Sequence, residues 1–256
     1  MKVNTLEQLP LPDNQIDIWL IEPQYIDSKQ LNAYHALLSS QELINAQKKR
    51  GATAQRDAII TRAFIRSILS HYENLTPQQW RFGKGFNGKP FISNDNIDLE
   101  FNISHATNLI VCAITRKHSI GIDVEYIRRK SDTYKLAPRY FSPKEVEDLQ
   151  ALPYEQQAID FYHYWTLKEA YIKACGDGLA IPLNQFSFTI NDNKVAIAFS
   201  NRREDSPNNW QHYLFHPTAD HKMGLSISVD SKQPLTVTTR TYKPMQKSKL
   251  VTLPLN

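Results

Sequence analysis

The stretch Gly121-Ile122-Asp123-Val124-Glu125 sets two carboxylates two residues apart. On a strand, Asp123 and Glu125 leave the same face about 7 Å apart, with Ile122 and Val124 on the other. Such a pair offers hard oxygen ligands to Mg²⁺. It equally describes the wet face of an ordinary strand. A second stretch, WTLKEAYIK, aligns Trp165, Glu169 and Lys173 at i, i+4 and i+8, with Lys168 beside them. Glu169 and Lys173 alone could be a surface ion pair worth a few tenths of a kcal/mol. Trp165 on the same line argues that this face is covered. A covered acid–lysine line needs a partner, and a metal with an anionic ligand supplies one. Mg²⁺ is commonly held by few carboxylates plus substrate phosphates. Asp123, Glu125 and Glu169 fit that pattern, with Lys168 and Lys173 facing the phosphate charge.

Two further stretches are candidates. In FNISHA, Phe101 and Ile103 alternate inward, Asn102 and Ser104 outward, and His105 ends the strand. Ser104 and His105 are either ordinary polar residues or phosphate contacts. GFNGKP, with Lys89 and Pro90, almost spells a phosphate-cradling loop. It fails at Pro90, where that motif needs a hydroxyl and a helix start. Asn87-Gly88 between apolar strands predicts a hairpin turn instead, and a lysine on such a turn can still meet a phosphate.

The elements that must position these residues are duplicated. Ala63-Phe64-Ile65-Arg66 matches Ala170-Tyr171-Ile172-Lys173, Gln79–Phe82 matches Gln185–Phe188, and Ser39–Glu42 matches Ser142–Glu145. The last pair both carry the Ser-x-x-Glu capping-box spacing. Each half reads as a capped helix, a longer helix, then strands. Helices are predicted over 54–72 and 161–175, the latter stopped by Gly176 and Gly178. The strands expected are WRF, KPFI, LEFNIS, NLIVCAIT, FSFTI, VAIAFS, YLFH and GLSISV, with an edge strand at IDIWLIE. Strand runs packed on helices without regular β-α alternation predict an α+β fold. The expected organisation is an N-terminal half over 1–117, a C-terminal half over 118–230, and a strand or tail over 231–256.

The composition adds bounds. The chain has 256 residues, 41% hydrophobic and 22% charged, with a net charge of +4 and no dense Lys/Arg block. That permits an anionic partner without implying nucleic acid. The first 20 residues hold no uninterrupted apolar run and no stretch reaches membrane-span length, so a cytoplasmic protein without a membrane partner is expected. Cys112 and Cys175 suggest neither a disulfide framework nor a zinc site.

GKP, FNISHA, GIDVE, FSPKE and WTLKEAYIKACGDGL, in this order, resemble the 4′-phosphopantetheinyl transferases. The length and duplicated halves are similar to the larger, surfactin-synthetase-activating type, a pseudo-dimer in one chain. The resemblance spans roughly residues 38 to 190, and the 44-residue gap from Glu125 to Glu169 is its most specific feature.

It implies a monomeric enzyme of the holo-[acyl-carrier-protein] synthase type. Such an enzyme moves the phosphopantetheine arm of coenzyme A to a serine of an apo acyl or peptidyl carrier protein, leaving 3′,5′-ADP. Carriers of fatty acid, polyketide, polyunsaturated fatty acid or nonribosomal peptide synthesis are all open. By the same resemblance, Asp123, Glu125 and Glu169 are Mg²⁺ ligands, and Lys173 and Lys168 are diphosphate contacts. Ser104 and His105 lie near the 3′-phosphate, and Lys89-Pro90 near the adenine. Glu145 of FSPKE and Glu169 are both candidates for taking the serine proton. Arg56 is the N-terminal basic residue nearest the family's nucleotide contact, with Lys48, Lys49, Arg50 and Arg62 as alternatives. The alternatives to this function are another Mg²⁺-dependent enzyme on a nucleotide diphosphate, or a non-catalytic anion- or carrier-binding module.

Overall fold

Gln15–Ile21 (β1) is buried on both faces, every residue from Ile16 to Ile21 included, with Asp17 its one charged side chain. A strand of this kind belongs inside a sheet, and a computed structural model places it there. The structure describes residues 7–128, 133–178, 181–191, 194–230 and 235–254. The expected edge position of IDIWLIE is therefore corrected. β1 lies between Leu109–Arg116 (β5) and the C-terminal strand Thr236–Thr241 (β11), which runs parallel to it.

The helices of the first half are Ser28–His35 (α1), Ser40–Gln47 (α2) and Ala52–Leu69 (α3). A hairpin of Phe82–Lys84 (β2) and Pro90–Ile92 (β3) follows, then Leu99–Ala106 (β4), which pairs with β5. The second half opens with Ile120–Tyr126 (β6). Its helices are Ala137–Tyr140 (α4), Pro143–Gln150 (α5) and Tyr154–Cys175 (α6). A hairpin of Phe186–Asn191 (β7) and Lys194–Phe199 (β8) comes next, then Trp210–Thr218 (β9) and His221–Ser228 (β10). Lys249–Val251 (β12) completes the first sheet, whose order is β12-β11-β1-β5-β4, and the second sheet runs β6-β10-β9.

Alternation assigns the layers. Trp19, Ile21, Ile110, Cys112 and Ile114 face α3 through Phe64, Ile65 and Ile68. Ile16, Ile18, Val111 and Ala113 face the other way, onto Ile122, Val124, Met223 and Leu225 of the second sheet. The far face of that sheet receives α6, and close approach there requires glycine. A Cβ on Gly121 would fall 2.0 Å from the Ala170 carbonyl oxygen, and one on Gly224 2.5 Å from that of Thr166. Asp123 and Glu125, on the Gly121 face, therefore point at α6 rather than at solvent.

The duplication holds, with one change of register. Both capping boxes form, at Ser39/Glu42 and Ser142/Glu145. Arg66 of α3 reaches Glu42 at 2.8 Å and donates to the Pro77 and Trp80 carbonyls. Lys168 of α6 reaches Glu145 at 2.9 Å and donates to the Leu183 and Phe186 carbonyls. Arg66 therefore corresponds to Lys168, whereas the sequence match had set it against Lys173. Each half uses one buried cation to tie its long helix to a helix cap and to the loop entering the next strand.

Candidate active site

The cleft lies where β4, β6 and α6 meet. β6 pairs with β10 along one edge, and its other edge faces β4 without a backbone ladder between them. Buried backbone groups there need partners, and side chains supply them. Ile122 N–H donates to Asn102 Oδ1 at 3.0 Å and Val124 N–H to Ser104 Oγ at 3.4 Å. The Ile120 carbonyl accepts from Lys89 Nζ at 3.1 Å, and that of Ile122 from Lys173 Nζ at 3.3 Å. The first half thus stitches itself to the second through Asn102, Ser104 and Lys89. Asn102 was not singled out in the sequence. Its place beside Ser104, outward on a strand, was the available signal.

Asp123 is the centre of the cluster. Its Oδ1 accepts from Lys173 Nζ at 2.6 Å and from Ser104 Oγ at 2.9 Å, while Lys173 Nζ also lies 3.1 Å from Ser104 Oγ. Its Oδ2 is buried and has no hydrogen-bond partner. Trp165, Glu169 and Lys173 are half-buried, whereas the residues between them on α6 are buried. The i, i+4, i+8 line, expected from Trp165 to be covered, is instead the open stripe of a helix otherwise packed nearly all round, because its other faces meet β6, β10 and the second-half core. Glu169 is pushed up to about 7, first by burial and then by the charges of Asp123 and Glu125, with Lys173 opposing. Burial and like charges both disfavour an ionised carboxyl. Glu125 is half-buried at the end of β6.

Glu145 and Lys168 stand apart from this cluster. Both side chains are fully buried. Glu145 Oε2 caps Ser142 and meets Lys168, and its Oε1 accepts from the Phe188 N–H at 2.9 Å. Lys168 spends its protons on Glu145 and two carbonyls, with its ammonium 4.4 Å from the Phe186 ring centroid. Burial pulls Lys168 down to about 8, against the pull of Glu145. A diphosphate contact by Lys168 and proton transfer by Glu145 both require exposure that neither side chain has.

Around the helix axis, Lys168 and Lys173 are about 140° apart at 100° per residue, so they serve opposite sides. Arg56 is also committed elsewhere. Its guanidinium donates to the Pro23 carbonyl at 2.6 Å and the Ile26 carbonyl at 2.7 Å, holding the connection that follows β1.

Lys89 and Pro90 sit where the hairpin prediction put them. Gly88 N–H donates to the Gly85 carbonyl at a φ of +85°, and Pro90 opens β3, so no phosphate loop forms. Lys89 crosses to the second half, donating to the Ala174 carbonyl at 3.0 Å as well as to Ile120, and burial lowers its pKa. His105 is exposed at the end of β4, on the α3 side of the sheet by alternation from Ile103.

The chain is matched in both halves by profiles of one family. The profile described as the 4′-phosphopantetheinyl transferase superfamily matches residues 119–228, and that of the 4′-phosphopantetheinyl transferase N-terminal region matches 26–117. The chain is 41% identical over 174 residues to the 4′-phosphopantetheinyl transferase HetI of Nostoc sp. (strain PCC 7120), covering 67% of this chain and 73% of that protein. The chain belongs to the 4′-phosphopantetheinyl transferase superfamily. Two other transferases of the family come from Bacillus subtilis. One is 44% identical over 128 residues (50% of this chain, 55% of that one). The other, Sfp of strain 168, is 39% identical over 134 residues (52% and 58%). The cleft described above joins the regions matched by the two profiles, with Ser104 and Lys89 from the first and Asp123, Glu169 and Lys173 from the second. Among the described residues, no helix of this transferase is long and apolar enough to cross a membrane.

Proposed function

We propose that the cleft transfers phosphopantetheine from coenzyme A to a serine of an apo carrier protein, with Mg²⁺, and that Asp123, Glu125, Glu169 and Lys173 carry the reaction. The observation behind this reading is the Lys173–Asp123–Ser104 cluster at the junction of the halves, with Glu169 close enough to feel the charges of Asp123, Lys173 and Glu125. Among the described residues, no three acidic, histidine or cysteine side chains already converge into a metal shell. The donor chemistry nevertheless suits a hard divalent cation. Asp123 Oδ2 is a buried oxygen without a partner, and burial, with the charges of Asp123 and Glu125, raises Glu169 toward neutrality. Asp123, Glu125 and Glu169 would hold the ion. Bound there, Mg²⁺ would neutralise charge on the diphosphate and on the departing 3′,5′-ADP.

The protein's own groups do the rest. Lys173, on the open stripe of α6, sets a positive charge beside the diphosphate, where positioning and charge neutralisation dominate phosphoryl-type transfer. The carrier serine Oγ forms the new bond to the phosphorus bearing the pantetheine arm, and the bond from that phosphorus to 3′,5′-ADP breaks. The serine proton needs an acceptor within reach. Glu169, half-buried on the cleft, could offer the serine a carboxylate oxygen not engaged by the ion, which the sealed Glu145 cannot. Lys89, Pro90 and Ser104 bound the cleft from the first half, while His105 stands exposed at the end of β4 on the other face of the sheet. Lys168 and Glu145 hold α6 in position, and Arg56 holds the loop after β1. The two halves, about 1–117 and 118–230, act as one monomer, in the cytoplasm.

Intact-mass spectrometry of an apo acyl carrier protein tests this reading. Incubation with the protein, coenzyme A and Mg²⁺ should add one phosphopantetheine, and EDTA or Asp123→Ala should abolish the gain. No gain on fatty acid, polyketide or peptidyl carriers, from a folded protein that binds coenzyme A, would overturn it.

A further inference from the structure

The segment after β11 builds a cavity of about 500 Å³ that the reaction above does not use. Its walls include Tyr25, Tyr242, Lys243, Lys247 and Lys249, with Glu22 as the one carboxylate among the lining residues. Lys247 and Lys249 are exposed, and Lys243 donates to the Tyr25 carbonyl at 3.2 Å. Large apolar side chains stand in solvent beside these lysines, Leu250 among them. Tyr25 is 61% exposed and Met245 66% exposed.

Met245 is held outward at a backbone cost. It has φ +68° in the turn closed by Gln246 N–H to the Lys243 carbonyl at 3.0 Å. A left-handed conformation costs a bulky residue roughly 1–2 kcal/mol. The turn is anchored on both sides, by β11 and by β12, which pairs Thr241 with Lys249. A strained, anchored turn that presents a methionine among lysines is a built surface.

The cavity and the cleft flank the same turn. Leu109, which begins β5, and Thr218, which ends β9, line the cavity. On the other side, Tyr126 follows Glu125 and packs 5.3 Å from the His221 ring. The His221 ring also bonds both the Thr107 carbonyl and the Thr218 hydroxyl at 2.7 Å. From β1 across β5 to β4 is two strand spacings, about 10 Å. A domain of about 100 residues is roughly 30 Å across, so one partner can cover both places.

We propose that this cavity is a docking surface for an acidic, apolar-tipped face of the carrier-protein substrate, separate from the cleft that receives its serine. The proposal rests on the transferase reading for the identity of the partner. Complementary charge brings the partner in and orients it, while Tyr25 and Met245 supply apolar contact. Glu22, Tyr25 and the residues from Tyr242 to Lys249 lie outside both regions matched by the family profiles, whereas Leu109 and Thr218 lie within them.

The test is a double charge reversal, Lys247→Glu/Lys249→Glu, at two exposed positions remote from the cleft cluster. Binding of an apo acyl carrier protein, measured by titration calorimetry without coenzyme A, should weaken about tenfold and lose much of its salt dependence. The kcat at saturating carrier, the thermal unfolding curve, and transfer to a short serine-bearing peptide should stay as in the wild type. An unchanged dissociation constant, or equal losses with peptide and carrier, overturns the proposal. A wild-type protein that binds the carrier through this patch yet shows no transfer would sink the transferase reading and leave the docking surface standing.

Discussion

Lys168 and Lys173 lie on one helix, five residues apart, and each contacts a carboxylate at under 3 Å. Their settings are opposite. Lys168 and Glu145 are fully buried, and both Glu145 oxygens and the ammonium are satisfied by protein groups. Lys173 is 28% exposed beside an Asp123 whose second oxygen has no partner, with Glu169 raised nearby. A sealed, satisfied pair has nothing left to give a ligand. An open, unbalanced one does. The first half repeats the sealed type in Arg66 with Glu42, so the open Lys173–Asp123 pair is what the second half adds to the shared plan.

Breaking the sealed pair should give the largest effect on folding. Lys168→Ala leaves Glu145 charged and uncompensated, and should cost about 3–5 kcal/mol in urea unfolding. Lys168→Met with Glu145→Gln should recover part of that loss. If the single variant kept full stability, the pair would not be structural.

Lys173→Gln keeps a donor for Asp123 and removes the charge. Turnover should fall by about 100-fold or more, with stability within about 1 kcal/mol of the wild type. A large stability loss without a kinetic defect would erase the contrast between the two lysines.

Glu169 should leave its mark on the pH dependence of stability in metal-free buffer. Its folded pKa of about 7 lies above the ordinary 4.5. Between those values the native state holds the extra proton, so stability falls as pH rises through the window and levels off above it. The fall should amount to roughly 3 kcal/mol, and Glu169→Gln should flatten it. Mg²⁺ added at pH 8 should raise the melting temperature of the wild type more than that of Glu169→Gln.

The smallest effect concerns the stitch between halves. Asn102→Ala orphans the buried Ile122 N–H and should cost about 1–2 kcal/mol. Hydrogen exchange at Ile122 and Val124 should quicken more than exchange in β5.

Much of this was legible in the sequence. The capping boxes, the Asn87-Gly88 hairpin, the long second-half helix and the acidic alternation of GIDVE are local, and local sterics and hydrogen bonding decide them. Other readings required contacts across the chain. IDIWLIE became an interior strand because β11, more than 200 residues away, pairs beside it. Lys168 and Lys173 look alike in WTLKEAYIK, and only the packing of both sides of α6 tells them apart. Aligning the halves through Arg66 and Lys168 would have hinted at the structural one, but the better-matched Ala-x-Ile-(Arg/Lys) run drew the alignment five residues away.

By itself, the sequence determined which side chains share a face, since helix and strand periods are properties of the backbone. It also carried the family motifs. Tertiary structure decided which of those faces stay open. Burial, and the requirement that every buried polar group find a partner, consumed Lys168, Glu145 and Arg56. The same requirement left Asp123, Glu169 and Lys173 unbalanced at the seam between the halves.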